Sequence, residues 1–519
     1  MPNETQSYSY SAVEAAAPHR NSASAFQHWL REASRSVDRL GSRVPPFAFV
    51  IAIAIIMILA IACSRGGYDH QELQQYIPHY LSHKPLLEKI FDYKKVEIWQ
   101  DFRPRPLSYI VDNYDVAFIG WSARHGLPHL LSASYYVFWA LDCLLLWFYF
   151  RRRLGMQAFT AGLFLCLLSA DPVFFSHSNY FRSAKPGGAF LLLAAFLVFG
   201  ECFRAALNGR SRLRCFLLAS GAGVLLFCAC LFDEIPAAFT FAAAVMLAVE
   251  WFWDRKSPRA RAWLYPLATV IAVLAAFVYY DLFLHRWLIW TFAHERVSMA
   301  YQTGTAGAML WHPGVLLAGT LSVFVDVFGH LTGAVPTVIA AVFMLACIAA
   351  WIRPAAGNGH EKDRFNRSLT APRFRPLIRI LLAGLLMFGC LYGMIARHHG
   401  IMRLDVRLST YVLPLTIVFL LFVAATVAMI VHQRHASRGV VQLILLVLVA
   451  SSLVSVLSRR IFTHGDLRTH MLLISLRDPS AFDAQARENS DTARLQHEVL
   501  NSPIYKALRS EMQESSDGR

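Results

Sequence analysis

The sequence predicts an all-α, polytopic membrane protein with about 11 transmembrane helices. Three observations support this fold class. The 519-residue chain is 56% hydrophobic and only 16% charged, with a mean hydropathy of +0.41, whereas an average soluble protein is about a quarter charged. The apolar residues gather in eleven stretches, most of them close to the roughly 20 residues that a membrane helix needs. Lys and Arg residues collect in every second connection between these stretches.

The apolar stretches divide the chain into three parts. Residues 1–44 form a polar N-terminal segment, residues 45–457 a transmembrane domain, and residues 458–519 a polar, partly helical tail. Because 44 residues precede the first stretch, we interpret that stretch as a retained anchor rather than a cleaved signal peptide. The expected spans are 45–63, 131–150, 157–170, 188–203, 215–232, 235–252, 263–283, 333–352, 380–396, 412–431 and 440–457.

One region leaves the number of spans open. Residues 308–352 are long enough for two spans, which would place the basic segment 353–379 on the outer side. We therefore expect one span at 333–352, with residues 314–331 lying along the interface or re-entering it.

The distribution of basic residues predicts the orientation. If residues 1–44 are cytoplasmic, the cytoplasmic segments hold 25 Lys and Arg in 106 residues, and the outer loops hold 15 in 151. Cytoplasmic loops carry the excess of Lys and Arg in membrane proteins, so we expect a cytoplasmic N-terminus and an extracytoplasmic C-terminus. The net charge of +15 then marks topology, and we expect no nucleic-acid partner.

Two outer loops are much longer than the others, at 64–130 and 284–332. Long connections are often functional, so we expect the working surface there. Apolar residues between 73 and 81 recur at the one-sided spacing of a helix, and Pro78 and Pro85 interrupt the pattern. We therefore expect short surface helices in these loops.

Carboxylates supply the first group of candidate site residues. In the first outer loop, Asp69, Glu72 and Asp101 are candidate catalytic residues, because partial desolvation near a membrane raises the basicity of a carboxylate. Asp233 and Glu234 are adjacent in a tight outer turn, where acids are costly unless they are paired or reach water. A solvated or salt-bridged position is the alternative for each of them.

Basic residues on the outer side supply the second group. Arginine forks suit phosphate oxygens, and the natural phosphate at this depth belongs to a lipid monophosphate or pyrophosphate. Contact with anionic headgroups is the alternative. The adjacent His398 and His399 lack an evident third ligand, so the sequence identifies no metal site. The basic candidates are Arg103, Arg105, Arg182, Lys185, Arg397, Arg403 and Arg407.

This layout resembles the GT-C class of polytopic glycosyltransferases, which includes protein O-mannosyltransferases and aminoarabinose transferases. The segment Arg103-Pro104-Arg105-Pro106-Leu107-Ser108 is similar to an Arg-Pro-Leu-Ser segment in the first outer loop of several such families. The pair Asp233–Glu234 resembles an acidic pair at a later outer turn of the class. In layout, the resemblance covers residues 45–300.

The resemblance implies an enzyme of a bacterial cytoplasmic (inner) membrane. Its donor would be a sugar on polyprenyl phosphate, its acceptor an extracytoplasmic cell-envelope glycan, lipid or protein, and membrane lipids would surround it. Asp69 or Asp101, with Glu72 close in sequence, would orient or deprotonate the acceptor hydroxyl. The arginines would stabilise the departing phosphate, with a divalent cation (Mg or Mn) as a candidate cofactor.

Two other functions remain open at this point. An O-antigen ligase or polymerase would use the same lipid-linked donors and would centre on Arg397, His398 and His399. A transporter or lipid flippase would need acidic residues at mid-membrane depth, and Asp142 is the residue that fits this requirement.

Overall fold

The computed structural model describes residues 19–63, 71–92, 95, 104–170, 184–257, 260–296, 386, 438–458, 467–478 and 497–517. Within these ranges the chain forms α-helices and two short π-helical turns, and no strand occurs. The all-α prediction is therefore confirmed for the part of the chain that is described.

The first helices belong to the N-terminal segment, the first outer loop and the first predicted spans. A π-helical turn at Tyr149–Arg153 extends the sixth of them. These helices are α1 (His19–Arg43), α2 (Phe47–Cys63), α3 (Gln71–Leu81), α4 (Leu86–Phe91), α5 (Pro106–Arg124), α6 (Ala133–Phe148) and α7 (Ala158–Ser169).

The remaining helices form the second half of the described fold. A second π-helical turn, at Tyr280–Leu284, joins the eleventh helix to the twelfth. These helices are α8 (Ala184–Leu207), α9 (Arg212–Phe232), α10 (Glu234–Asp254), α11 (Ala260–Tyr279), α12 (His285–Ala293), α13 (Arg438–Ser458), α14 (Leu467–Arg477) and α15 (Pro503–Asp517).

Several of these helices are suited to crossing a membrane. In the described ranges, five segments are long and apolar enough, or six if the bent pair of α1 and α2 is one span. This finding is consistent with a polytopic membrane protein; the number of 11 remains a prediction, because the expected spans 333–352, 380–396 and 412–431 lie outside the described residues apart from Leu386. The five segments are Ala133–Arg153, Pro186–Leu207, Arg212–Phe232, Ile235–Asp254 and Ala260–Ala293.

Two elements extend beyond their expected bounds. The polar segment 1–44 contains the long helix α1, which meets α2 at an angle of 97°. The apolar helix that begins at Ala260 continues through the π-helical turn to Ala293, whereas the sequence predicted its end at 283. The second long loop therefore begins later than residue 284.

Side-chain contacts show which helix ends lie together. Arg153, after α6, forms an ion pair with Glu201 in the last turns of α8. The amide of Gln442, in the first turn of α13, donates hydrogen bonds of 3.2 Å to Gln157 and Thr160 at the start of α7. Because these helix ends carry many Arg residues, we call this end of the bundle the basic end.

The opposite end carries a layer of helices from the first outer loop and the tail. We call α3, α4, α5, α12, α14 and α15 the cap layer, because they share one buried apolar core. Helix α15 packs against α3 and α5, and α12 packs against α4. The Nε atom of Arg124 lies 3.3 Å from Oε2 of Glu511, so the tail lies directly against the first loop.

The cysteines with described side chains contribute to packing. Six have described side chains, all are free thiols, and five of them are buried. They act in packing as small apolar residues.

Candidate functional site

The candidate site begins on one face of α5. Pro106 occupies the first turn of this helix, where its missing N–H has no helical partner to lose. Arg105, Ser108, Asp112 and Asp115 follow one another at intervals of three or four residues, which places them on one side of the helix. All four are buried, with at most 5% of each residue exposed. They form what we call the α5 polar stripe.

Tyr109 holds the cation of this stripe in place. The guanidinium carbon of Arg105 lies 5.6 Å from the centre of the Tyr109 ring, and Nε of Arg105 donates a 3.3 Å hydrogen bond to the Tyr109 hydroxyl. A buried cation is costly unless such contacts compensate for its lost hydration. The stripe therefore keeps a positive group inside the cap layer.

Ser108 lies one helical turn from Arg105. Its hydroxyl is fully buried and has no hydrogen-bond partner among the described residues. Buried hydroxyls are usually hydrogen-bonded, so an exception needs an explanation. A hydroxyl and a guanidinium one turn apart can together bind an anion such as a phosphate.

Asp115 ends the stripe and connects α5 to the start of α6, which is long and apolar enough to cross a membrane. Its carboxylate accepts hydrogen bonds from the backbone N–H of Ser134 at 2.9 Å, from the Ser134 hydroxyl at 2.5 Å, and from the Ser132 hydroxyl. Burial raises the pKa of Asp115, and the hydrogen bonds from the two serines oppose that rise. These contacts cap the free N–H groups at the start of α6, so Asp115 has a structural role.

Asp233 has a similar capping role at the start of α10. Its Oδ1 accepts a 3.2 Å hydrogen bond from the backbone N–H of Ile235, and only 1% of the residue is exposed. The positive end of the helix dipole stabilises a carboxylate at this position. Gly188 packs beside it, since a Cβ built on Gly188 would lie 3.8 Å from the Asp233 Cβ. The starts of α8 and α10 therefore meet at this turn.

The stripe and the acidic turn belong to the same end of the bundle. Helix α5 packs against α9, which ends at Phe232, immediately before Asp233. The described contacts thus bring the first outer loop to the predicted outer turn at 233–234.

A second buried polar contact in this region was not predicted. The hydroxyl of Tyr280 and Nδ1 of His285 lie 2.9 Å apart and form a hydrogen bond across the π-helical turn. The His285 ring packs against Phe91 of α4 at 5.7 Å. π-Helical turns are frequent at functional sites, but no sequence pattern distinguished these two residues from an ordinary span end.

The predicted site residues fall into three groups. Arg105 and Asp233 are described and buried at the same end of the bundle. Glu72, Lys185 and Glu234 lie in α3, α8 and α10, with no side chain described. The remaining predicted residues lie outside the described ranges, and these are Asp69, Asp101, Arg103, Arg182, Arg397, Arg403 and Arg407.

The sequence interpretation missed the role of Ser108, Asp112 and Asp115. The spacing of these residues from Arg105 places them on one face of a helix. Because the sequence predicted short surface helices in this loop, burial of that face was not expected. Among the described residues, no group of three or more His, Cys, Asp or Glu is placed to hold a metal ion.

No family model, curated protein or solved structure matches the chain. The functional assignment therefore depends on the residues and their contacts.

Proposed function

We propose that the protein is an integral membrane glycosyltransferase of a bacterial inner membrane. It moves a sugar from a polyprenyl-phosphate-linked donor to an extracytoplasmic glycan, lipid or protein acceptor. The observation that carries this proposal is the α5 polar stripe. There, buried Arg105 lies one turn from Ser108, whose hydroxyl has no hydrogen-bond partner among the described residues.

The depth of the stripe suits a lipid-linked phosphate. Asp115, on the same face of α5, bonds directly to the first turn of α6, a helix long and apolar enough to cross a membrane. The stripe therefore lies at the level where a membrane span begins. A phosphate on a polyprenyl chain is held at this level by its own lipid anchor.

The proposed chemistry divides the work between basic and acidic groups. Arg105, with Arg103 two positions earlier, would stabilise the negative charge that develops on the departing phosphate. Asp69 or Asp101 would orient or deprotonate the attacking hydroxyl of the acceptor. The sugar carbon would pass through an oxocarbenium-like transition state, as in glycoside cleavage.

A transfer assay with site variants tests the proposal. Purified protein would be incubated with radiolabelled polyprenyl-phosphate sugars and a cell-envelope extract as the source of acceptors. We expect Asp69→Asn or Asp101→Asn to lower transfer by about 100-fold or more, as expected for loss of a general base. Arg105→Gln should lower transfer by about tenfold or more.

Arg124 supplies a matched control, because it lies on α5 but is half exposed and ion-paired with Glu511. Arg124→Gln should therefore leave transfer close to that of the unaltered protein. Full activity in both aspartate variants would show that neither Asp69 nor Asp101 activates the acceptor hydroxyl. Full activity in Arg105→Gln would show that Arg105 does not stabilise the departing phosphate.

A transporter or lipid flippase is the second candidate, and Asp142 favours it. This residue is fully buried in α6, and within the described part of the chain its carboxylate has no hydrogen-bond partner. Intramembrane acids often mark transport pathways. Uptake of the labelled lipid-linked sugar into proteoliposomes without transfer, abolished by Asp142→Asn, would favour this function over the glycosyltransferase.

A further inference from the structure

The second half of the N-terminal helix α1 is nearly perpendicular to α2. Glu32–Arg43 meets Phe47–Leu59 of α2 at 97°. Helix α2 is strongly apolar and corresponds to the first expected span, so a helix perpendicular to α2 runs along the membrane surface when α2 crosses the membrane. Amphipathic helices with a basic polar face adopt this arrangement at membrane interfaces.

Close packing fixes α1 at the basic end of the bundle. The backbone of Ser34 lies against Gly439 at the start of α13, where a Cβ would have no room. One turn before α2, Gly41 lies against the ring of Phe159 in α7, and a Cβ there would come within 2.7 Å of the ring. One side of α1 therefore packs against α7 and α13, and the opposite side is exposed.

The free side of α1 carries a line of three arginines. Arg35, Arg39 and Arg43 are exposed, and their four-residue spacing places them about 6 Å apart along the helix. Among the described residues, none of the three forms an ion pair with a carboxylate. The line thus presents uncompensated positive charge along the plane of the membrane surface.

Apolar side chains are exposed at the same level. Leu40, between two of the arginines, is 57% exposed, and Phe47, at the first position of α2, is 63% exposed. Exposure of such apolar side chains to water is unfavourable. A basic line beside exposed apolar side chains matches the boundary between lipid headgroups and hydrocarbon.

We propose that the free side of α1 is a binding surface for anionic phospholipid. Arg35, Arg39 and Arg43 contact the headgroup phosphates, and Leu40 enters the edge of the hydrocarbon. Anionic lipids attract basic residues close to a cytoplasmic membrane surface. This inference is independent of the glycosyltransferase proposal, because it concerns the opposite end of the bundle from the α5 polar stripe.

Lipid titration of the full-length protein in neutral detergent tests the proposal. The unfolding midpoint would be followed as dioleoylphosphatidylglycerol or dioleoylphosphatidylcholine is added, which gives an apparent affinity for each lipid. We expect the phosphatidylglycerol to bind more tightly than the phosphatidylcholine. The triple variant R35Q/R39Q/R43Q should lose about 100-fold in affinity for the anionic lipid, because each arginine contributes about fivefold.

Two further variants separate the charge of α1 from other effects. R35K/R39K/R43K keeps the charge and should remain within about threefold of the unaltered protein. R210Q/R212Q/R214Q removes the same charge from exposed positions before and within the first turn of α9 and should have a much smaller effect. Should the triple glutamine variant fail to fold, R39Q alone must still show a loss of about fivefold.

Several outcomes would overturn the proposal. Unchanged affinity for phosphatidylglycerol in the glutamine variants would do so, and so would an equal loss in R210Q/R212Q/R214Q. An equal response to phosphatidylcholine would show that the headgroup charge is irrelevant. If sodium phosphate or a poly-glutamate peptide raises the unfolding midpoint as much as phosphatidylglycerol does, the arginines bind a soluble anion or an acidic protein instead of lipid.

Discussion

The Oδ1 atom of Asp115 accepts a 2.9 Å hydrogen bond from the backbone N–H of Ser134. This bond joins the cap layer to the first turn of a membrane-spanning helix. A carboxylate in the first outer loop could serve as a catalytic group. Asp115 instead accepts hydrogen bonds from N–H and O–H donors that burial would otherwise leave unpaired. The contact holds the α5 polar stripe against the start of α6.

Removing the Asp115 carboxylate should therefore weaken the fold. We expect Asp115→Ala to lower the free energy of unfolding by about 1–3 kcal/mol, the range for loss of a cap together with buried hydrogen bonds. Thermal unfolding in detergent measures this change. Glu88→Ala is the control, since its exposed ion pair with Lys84 should contribute less than about 1 kcal/mol. Equal stability of the two variants would contradict the capping role.

The cap layer should also loosen in mild acid because of His79. Its Nε2 donates a 2.9 Å hydrogen bond to the carbonyl of Lys89, and burial lowers its pKa below the usual 6.5. A lowered pKa in the folded state means that protonation opposes folding. The stability from neutral His79 is therefore complete above about pH 6.5 and is lost as the pH falls through the folded-state pKa.

Hydrogen exchange of α3 and α4 at pH 7.5 and at pH 5.5 measures this loosening. Because amide exchange is base-catalysed and intrinsically slower at pH 5.5, the rates are compared as protection factors. We expect lower protection factors at pH 5.5 than at pH 7.5 in the unaltered protein and a smaller difference in His79→Gln, whose amide can donate to the same carbonyl without titrating. His83→Gln changes an exposed residue of the same segment and should leave the pH dependence intact. Burial also lowers the pKa of His129, so protonation of His129 accounts for any pH dependence that remains in His79→Gln.

Local patterns allowed the helices and their approximate bounds to be predicted. The stretch 235–252 becomes the helix Glu234–Asp254, and 440–457 becomes Arg438–Ser458, because a long apolar run in a membrane can satisfy its backbone only as a helix. The same applies to the surface helix between residues 73 and 81, where apolar spacing alone indicates one buried side.

Long-range packing is what the sequence could not predict. Arg124 and Glu511 are far apart in the chain, and their contact depends on how the tail folds onto the first loop. Burial of Ser108 and Asp112 likewise depends on neighbours that local spacing does not specify. The structure brings Arg105 and Asp233 to one end of the bundle, and the polar stripe on α5 was not predicted. The assignment of these residues to a functional site stays a prediction.

Two glycines should respond in opposite ways to the same substitution. In Gly439→Ala the added Cβ would overlap the backbone oxygen of Ser34, which cannot rotate away. We expect a loss of about 1–3 kcal/mol and release of α1 from the bundle. In Gly221→Ala the Cβ would meet nothing within 4 Å, so helix propensity should raise stability by up to about 1 kcal/mol. Protease sensitivity of α1 and the unfolding midpoint measure both effects, and a harmless Gly439→Ala would contradict this placement of α1.

Helices α12 and α13 lie at opposite ends of the bundle, and this predicts whether the number of membrane crossings between them is odd or even. Helix α12 packs against α4 in the cap layer, whereas Gln442 at the start of α13 bonds to residues at the basic end. A chain that leaves one side of a membrane and returns on the other crosses it an odd number of times. We therefore expect an odd number of crossings between Ala293 and Arg438.

Labelling of introduced cysteines with an impermeant reagent tests this parity, in a background that lacks the reactive native thiols. Cysteines at exposed His294 and Ser510 should label from the same side of the membrane, and cysteines at exposed Arg210 and Lys256 from the other. Labelling of His294 and Lys256 from one side would contradict the arrangement.

Asp142 offers a test that separates stability from function. Its carboxylate is fully buried in α6 and has no hydrogen-bond partner in the ranges that the structure describes. Burying such a group is unfavourable. Asp142→Leu has a similar volume and should leave the unfolding midpoint unchanged or raise it, since apolar replacements of buried charged groups are often neutral or stabilising. Leu146→Ala, one turn further along the same buried face, should instead cost about 2–5 kcal/mol. Under the glycosyltransferase proposal, Asp142→Leu retains sugar transfer, and a stable variant that has lost all activity would show that this carboxylate is retained for its function.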